Sequence, residues 1–305
     1  MLTPRDDLYP SRFGKNTQYL PRQDPVIHGD SAQRAGTGLS AEQLADFEKN
    51  GFLILNAVFT ESEVAALRSE SSELLTDVTT KNLKEVICEP NSGAVRSVFR
   101  AHKLSQPIEK VTNDHRLTRI AQGLLGDAVY IHQTRVNFKP GFKGTEFYWH
   151  SDFETWHVED GMPRMRALSM SITLTENHAD NGPLLLIPGS HKTFVTCTGE
   201  TPDNHHEKSL RKQQFGVPSD EAVSHLIETN GIARAECKAG SVIVFDCNTV
   251  HGSNSNITPD PRANIFVVYN AMANAVIDPF CTQPPRPEHV CTRESIVQVQ
   301  TQTHG

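Results

Sequence analysis

From about residue 128 onward the sequence consists of short runs of alternating apolar and polar residues, separated by Gly, Pro, Asn and Asp. A period of two is the spacing of β-strands, and strands this closely spaced are typical of antiparallel sandwiches and barrels. Helical periodicity is rare between the runs, which disfavours a parallel α/β sheet. The sequence predicts a mainly β fold with flanking helices and a double-stranded β-helix core, the cupin-like jelly roll. The predicted strands are 128–139, 146–152, 166–175, 183–187, 241–246 and 263–271.

Two helices are predicted upstream by capping signatures, in which Ser or Thr is followed three residues later by Gln or Glu. Gly51 ends the first of them before a short apolar strand, 52–55. The signatures are Ser40 with Gln43, for a helix to about Asn50, and Thr60 with Glu63, for a helix from Glu61 to about Leu75.

We interpret the 305 residues as a single domain, because no linker interrupts them. The polar insert within the core is too long for a hairpin turn, and it is either a lid or a surface excursion. The divisions are an extended N-terminal arm (1–38), a largely helical flank (40–127), a jelly-roll core (128–275) with its polar insert (198–230), and a C-terminal tail (278–305).

Composition excludes several classes of partner. The net charge of −7 and the pI near 6.0 argue against a general nucleic-acid binder, which needs clustered Lys and Arg. No apolar run approaches the roughly 20 residues that span a bilayer, and the N-terminus lacks the pattern of a secretion signal. The six cysteines form no CxxC pair. We therefore expect a cytoplasmic protein with reduced thiols and no membrane or nucleic-acid partner.

A metal site is indicated by His150 and Asp152, which are two apart in a predicted strand and would share one face. His251 follows the apolar strand 241–246 and can supply a third ligand. Two imidazoles and one carboxylate, with the other coordination positions open, suit non-haem Fe(II), whereas zinc more often takes a tighter ligand set. An HxD pair alone is a weak signal, since it is more often a surface pair or a structural hydrogen bond.

Three longer motifs resemble a known family. The segments SAEQLADFEKNGFLIL (40–55) and GPLLLIPGSH (182–191) are similar to the phytanoyl-CoA dioxygenase superfamily. Within it, FYWHSDFETWHVEDGMP (147–163) closely resembles the ectoine hydroxylases, and the likeness extends over most of residues 40–275. This resemblance implies iron held by the same His150, Asp152 and His251, 2-oxoglutarate and O₂ as cosubstrates, a homodimer, and the conversion of ectoine to 5-hydroxyectoine in osmoprotection.

The resemblance also implies the cosubstrate site. Arg262, at the start of a predicted strand, would pair with the far carboxylate of 2-oxoglutarate, and a guanidinium suits this bidentate contact. The remaining residues expected to bind 2-oxoglutarate are Ser253, Asn137, Lys139 and Phe147.

For the substrate, Gln133, Arg135, Asn137 and Lys139 alternate along one strand and share a face, opposite Tyr130, Thr134, Val136 and Phe138. Such a polar face is usually solvated. Because this strand leads into the segment with His150 and Asp152, we interpret the face as the polar interior of the jelly roll. Ectoine is a small zwitterion with an amidinium, which Trp156 can contact by a cation–π interaction, and a carboxylate, which Arg135 can bind. The resemblance implies that Gln133, Arg135 and Trp156 contact the substrate, and the further candidates are Thr155, Phe245 and Phe266.

The other histidines are interpreted as structural, with His157, His178 and His191 in hydrogen bonds and His205 and His206 facing solvent. Three rival functions remain: another hydroxylase of the superfamily with a different small substrate, a halogenase, and a metal-binding jelly roll without catalysis. A halogenase would need the carboxylate ligand replaced, and Asp152 is present. A binding module would not need Arg262 beside an intact triad.

Overall fold

The computed structural model describes residues 7–76, 83–89, 93–205, 210 and 215–302. Its largest element is an antiparallel sheet of seven strands in the order β2-β11-β7-β13-β5-β4-β3, and a four-stranded sheet has the order β10-β8-β12-β6. A third, two-stranded sheet pairs β1 with β9. The strands are β1 (Tyr19–Pro21), β2 (Phe52–Leu55), β3 (Val86–Cys88), β4 (Val95–Phe99), β5 (Val129–Lys139), β6 (Phe147–His150), β7 (Ala167–Thr173), β8 (Leu184–Leu186), β9 (Thr193–Val195), β10 (Ala233–Arg234), β11 (Val242–Asp246), β12 (His251–Ser253) and β13 (Arg262–Ala271).

Helices cover one face of the seven-stranded sheet. The main core joins Phe47, Leu67 and Leu124 of the helices to Val136 and Ile265 of the sheet. Alternation along the strands buries every second side chain against this layer. The helices are α1 (Ser31–Gly36), α2 (Ala41–Asn50), α3 (Glu61–Thr76), α4 (Ala101–Leu104), α5 (Gln106–Thr112), α6 (His115–Leu125), α7 (Asp152–Asp160) and α8 (Asp220–Asn230), with short 3₁₀ turns at Ser190–Lys192 and Met272–Asn274.

The other face of the large sheet packs against the four-stranded sheet. Leu184 and Leu186 of β8 lie in one buried cluster with Ile243 and Phe245 of β11 and Phe266 of β13. Two antiparallel sheets with interdigitated inner faces are the architecture of a jelly roll, so the predicted fold class is confirmed.

Both predicted capping signatures are present. The side chains of Ser40 and Gln43 each bond the other residue's backbone at the start of α2, and Thr60 and Glu63 do the same before α3. Gly51 ends α2 with φ +82°, where a Cβ would come within 2.4 Å of the His191 ring. The helix therefore has to end at a glycine, and the chain turns directly into β2.

The prediction that Asp152 shares a strand face with His150 is wrong. Strand β6 ends at His150, and Asp152 is the first residue of α7. The Ser151 hydroxyl donates to Oδ1 of Asn248 at 2.9 Å, and the Phe153 amide donates to the Cys247 carbonyl at 2.8 Å. These bonds turn the chain out of the strand, and a carboxylate at the first helical position is favoured by the helix dipole.

Strand β5 contains a bulge that changes which side chains share a face. Gln133 pairs with Val268 and Ile131 pairs with Tyr269, so His132 is an extra residue. Past this bulge Ile131 joins the helix-facing core, and Tyr130 therefore lies on the opposite face from Thr134, not on the same one as predicted. The sequence pattern of a regular strand gives no sign of the inserted residue.

The predicted divisions of the chain contain more regular structure than expected. The arm includes α1 and β1, and Tyr9 within it is fully buried. The flank supplies β3 and β4 to the large sheet. The insert contains α8, which buries Ala222, Val223 and Leu226. Parts of the insert, 206–209 and 211–214, lie outside the described residues, and so does the predicted exposure of His206. No helix among the described residues is long and apolar enough to cross a membrane.

Candidate active site

Three side chains converge where β6, α7 and β12 meet. Nε2 of His150 lies 3.6 Å from Oδ1 of Asp152, and Nε2 of His251 lies 3.9 Å from Oδ2 of the same carboxylate. Because β6 and β12 pair in register at His150 and His251, the two imidazoles are neighbours, with ring centroids 4.2 Å apart. All three residues are buried. The predicted triad is therefore assembled, although by a strand end and a helix start, not by one strand.

Backbone hydrogen bonds orient both imidazoles. Nδ1 of His150 lies 2.8 Å from the Tyr148 carbonyl, and Nδ1 of His251 lies 2.9 Å from the Thr249 carbonyl. These contacts place the proton on Nδ1 and leave the lone pair of Nε2 directed toward the carboxylate. Burial, with His150 nearby, lowers the pKa of His251 to about 4, so this ring is neutral at neutral pH. Neutral imidazole is the form that ligates metals.

The carboxylate of the triad is ionised. Burial favours its protonated form, but His251, His150 and Arg135 outweigh burial and hold the pKa of Asp152 well below its usual range. One carboxylate and two imidazoles on one side of a cavity, with the remaining positions open, match the donor set of a non-haem Fe(II) centre.

A second, basic region lines the same cavity. Arg262 of β13 and Lys139 of β5 are directly paired across two strands, an arrangement that ordinarily destabilises a sheet. Nζ of Lys139 donates to Oγ of Ser253 at 2.9 Å and to the Asn254 carbonyl. Arg262 is 7% exposed, and its Nε and Nη1 have no hydrogen-bond partner within the described part of the chain.

The pKa values of this region indicate a site for an anion. Burial first, and then Arg262 and Arg96, lower the pKa of Lys139 to about 6. Burial, together with Arg96, lowers the pKa of Arg262 to about 10. Unpaired guanidinium donors in a buried cavity are costly unless a ligand completes them. A carboxylate with two oxygens in one plane is the complementary partner.

One cavity connects the triad and the basic region. It is lined by thirteen of the fourteen residues predicted for the site: Gln133, Arg135, Asn137, Lys139, Phe147, His150, Asp152, Thr155, Trp156, His251, Ser253, Arg262 and Phe266. The exception is Phe245, which is fully buried with its ring centroid 4.9 Å from that of His251. Its role as a substrate contact stays a prediction, and in this structure it packs against a histidine of the triad.

The polar residues of β5 differ in what they already contact. Nη1 of Arg135 donates to Oε1 of Gln133, and its guanidinium lies 4.8 Å from the Phe266 ring centroid. Nε2 of Gln133 donates to the Val290 carbonyl at 2.7 Å. Trp156 is 3% exposed and packs edge-on against His132. These contacts fix the cavity wall before any ligand arrives.

Several residues that line the cavity were not predicted from the sequence. Ser97 and Phe99 lie on β4, which pairs with β5 at Asn137 and Arg135, and alternation in 95–99 could have predicted that strand. Arg286 comes from the Pro-rich tail, where no local pattern marks it. The missed lining residues are Glu89, Arg96, Ser97, Phe99, Leu184, Leu210, Gly252 and Arg286, while Phe138 was placed on the opposite face.

Three further histidines make the structural hydrogen bonds predicted for them. His157 bonds the Met162 carbonyl and Asp7, His191 bonds the Glu48 carbonyl, and His178 accepts from the Asp180 amide, as predicted. His205 was expected to face solvent, and this is wrong. It is 5% exposed, and its Nδ1 lies 2.9 Å from Oε1 of Glu159.

Comparison with known proteins places this site in a family context. The sequence profile of the phytanoyl-CoA dioxygenase (PhyH) family matches residues 47–264. A protein named ectoine dioxygenase from Bordetella bronchiseptica is 50% identical over 299 residues, 98% of this chain and 96% of that protein. The crystal structure of EctD from S. alaskensis with 2-oxoglutarate and 5-hydroxyectoine superposes with a TM-score of 0.88 at 46% identity, covering 97% of this chain and 98% of that one. The structure of the same protein with bound Fe gives a TM-score of 0.86 at equal identity and coverage.

Proposed function

The chain belongs to the phytanoyl-CoA dioxygenase family, and from that premise we propose that it hydroxylates ectoine to 5-hydroxyectoine, using Fe(II), 2-oxoglutarate and O₂. The observation that carries the proposal is one buried cavity with the His150, Asp152 and His251 triad at one point and the unpartnered donors of Arg262 at another. The resemblance of segment 147–163 to the ectoine hydroxylases implies the same reaction.

The residues of the triad would hold Fe(II) through Nε2 of His150 and His251 and an oxygen of Asp152. When bound, the iron supplies O₂ activation and the oxidation of an unactivated C–H bond, coupled to decarboxylation of 2-oxoglutarate to succinate and CO₂. The protein itself positions the substrate and excludes water from the cavity. The cavity walls are largely buried, so the reacting carbon is held away from bulk solvent.

Arg262 is proposed to bind the far carboxylate of 2-oxoglutarate through the donors that lack a partner. Lys139, Ser253, Asn137 and Phe147 are proposed to complete this end of the cavity. The hydrogen bond from Lys139 to Ser253 supports a shared role, since both side chains face the same region as Arg262.

Ectoine would occupy the part of the cavity lined by Gln133, Arg135, Thr155, Trp156 and Phe266. The indole of Trp156 offers its face to the delocalised cation of the amidinium. Arg135 offers charge-assisted hydrogen bonds to the carboxylate, and the ring of Phe266 already packs beside its guanidinium. Phe245 is proposed to support His251 by packing.

Binding of 2-oxoglutarate should draw a proton from solution. The pKa of Lys139 is lowered to about 6, so the free enzyme holds this amine mostly neutral above that pH. A dianion beside Lys139 favours the charged form and raises its pKa, so between the two values binding takes up a proton. Calorimetric titration at pH 7.5 in buffers of different ionisation enthalpy should give net proton uptake. Lys139→Met should lose this uptake, and release of protons from the wild type would contradict the assignment.

A non-catalytic metal-binding jelly roll is the rival from another class. Iron-dependent release of succinate from 2-oxoglutarate separates the two, because a storage or sensor module would bind iron without consuming 2-oxoglutarate. We expect succinate only when Fe(II) and O₂ are both supplied, and faster release when ectoine is added. Iron-loaded, folded protein that releases none would favour the binding module.

We also propose that the enzyme is a single-domain homodimer that acts in the cytoplasm, in the synthesis of a protective solute. The family resemblance supports this proposal. Light scattering coupled to size-exclusion chromatography tests the oligomeric part, and a mass of one chain would contradict it.

A further inference from the structure

Asp160, the last residue of α7, is a buried carboxylate outside the metal triad. It is fully buried, and both of its oxygens are bonded to one guanidinium: Nε of Arg286 donates to Oδ1 at 2.7 Å and Nη2 donates to Oδ2 at 2.5 Å. Nε2 of His132 lies 3.2 Å from the same Oδ2. Helix α7 is nine residues long. It therefore begins at a proposed iron ligand, Asp152, and ends at a second buried charged group, Asp160.

The first partner of Asp160 connects it to the cavity. Arg286 belongs to the C-terminal tail, is 7% exposed and lines the same cavity as the triad. Burial alone would raise the pKa of Asp160, but the charge and hydrogen bonds of Arg286 and His132 lower it to about 2. The carboxylate is therefore ionised, and it fixes the plane of a guanidinium at the cavity wall.

The second partner connects Asp160 to the indole. The His132 ring packs edge-on against Trp156, with centroids 5.3 Å apart and an interplanar angle of 64°. Nδ1 of His132 is buried without a hydrogen-bond partner in the described ranges, so the contact with Asp160 sets the orientation of the ring. Trp156 itself lines the cavity. A change at Asp160 is thereby passed to two cavity residues.

The tail is attached to the cavity at further points around Asp160. The Gln133 side chain donates to the Val290 carbonyl at 2.7 Å, and the Thr292 amide donates to the His132 carbonyl at 2.9 Å. Nη2 of Arg293 donates to the Asp160 carbonyl at 2.5 Å. Val290 is buried beside Phe99, another cavity residue. Segment 286–293 is therefore held against cavity residues, and its Arg286 lines the cavity.

A second metal ion is the competing reading of this cluster, because His132, Asp160 and Cys291 bring three ligand atoms within 4.8 Å of one another. The Arg286 guanidinium already occupies both oxygens of Asp160. A cation there would have to displace a buried positive charge that has no other carboxylate within hydrogen-bond distance in the described structure. The cluster is built around a guanidinium and not around a metal.

We propose that Asp160 is a positioning residue for substrate recognition, which holds the Arg286 guanidinium at the wall of the substrate pocket and sets the ring of Trp156 through His132. The inference rests on the proposed function, since it names what shapes the pocket for that substrate. Ectoine carries both a cation and a carboxylate. Displacement of the Trp156 indole or the Arg286 guanidinium from the cavity wall should therefore weaken ectoine binding. The iron and 2-oxoglutarate sites lie on other residues and should be unaffected.

The test is the kinetics of Asp160→Asn beside those of Glu154→Gln. Glu154 is a matched control: it is a buried carboxylate on the same helix, bonded through both oxygens to Arg12 of the N-terminal arm, and it does not line the cavity. We expect Asp160→Asn to raise the KM for ectoine by about tenfold to a hundredfold, the range for losing a hydrogen bond to a charged group, with the KM for 2-oxoglutarate unchanged. It should also release more succinate per hydroxylated ectoine. Glu154→Gln should change thermal stability but neither KM.

Equal effects of the two variants on all these quantities would overturn the inference, because both would then act only through stability. If Asp160→Asn does not fold, Arg286→Lys keeps the charge and loses the two-point pairing, and the same rise in the KM for ectoine is expected. A wild-type enzyme that does not hydroxylate ectoine would overturn the proposed function itself. A wild type that does, with an unchanged KM in both Asp160→Asn and Arg286→Lys, would overturn only the role of Asp160.

Discussion

Replacing Asp152 with Ala should abolish both hydroxylation and high-affinity iron binding while leaving the fold intact. Asp152 is the only carboxylate within the triad, and it faces Nε2 of both histidines. Loss of a group that merely orients a ligand typically costs roughly 10–100-fold in affinity or activity, so loss of the ligand itself should exceed that range. Iron content after anaerobic loading and desalting, and product formation by mass spectrometry, measure the two effects.

The control for Asp152→Ala is Glu154→Gln, two residues further along α7. Its carboxylate is buried, but it bonds Ser11 and Arg12 instead of the histidines. We expect this variant to keep its iron and its product, at some cost in stability from the altered buried pair. An Asp152→Ala protein that retains iron and turnover would contradict the assignment of the triad.

Replacing Arg262 with Met should give the second large effect: it should weaken the binding of 2-oxoglutarate without lowering the thermal stability of the ligand-free protein. The KM for 2-oxoglutarate should rise steeply, because truncating one partner of a buried charge pair costs about 2–5 kcal/mol, a factor of roughly 30 to several thousand. In the absence of 2-oxoglutarate, thermal stability should be unchanged or higher. Nε and Nη1 of Arg262 have no partner there among the described residues, and an uncompensated buried charge destabilises a fold.

Thermal unfolding with and without 2-oxoglutarate measures both parts of this prediction. The wild type should gain stability on adding the cosubstrate, since a ligand that binds only the native state stabilises it. Arg262→Met should gain little at the same concentration. A variant that loses stability without ligand and keeps its affinity for 2-oxoglutarate would show that Arg262 is a structural residue of β13.

Much of the site could be predicted from the sequence because its ligands lie close to strong local signals. His251 follows an apolar strand, and Gln133, Arg135, Asn137 and Lys139 alternate in a regular stretch of β5. The capping signatures at Ser40 and Thr60 act over three residues, so they too are readable without tertiary structure.

Helix α7 could not be predicted in this way. All nine of its residues are buried, so it has no polar face and no amphipathic period, and its first residues continue the pattern of β6. Its buried carboxylates are stabilised by Arg12 and Arg286, which lie more than a hundred residues away along the chain. Contacts of that range leave no periodic signal, and neither does the single extra residue at His132.

Isotopic labelling tests most directly whether this protein inserts an oxygen atom from O₂ into ectoine. The protein is loaded with Fe(II) without oxygen, mixed with ectoine and 2-oxoglutarate, and exposed to ¹⁸O₂ before mass spectrometry. We predict one labelled oxygen atom in ectoine, formed together with succinate and lost in Asp152→Ala. Succinate without oxygenated ectoine, from folded and iron-loaded protein, would contradict the account.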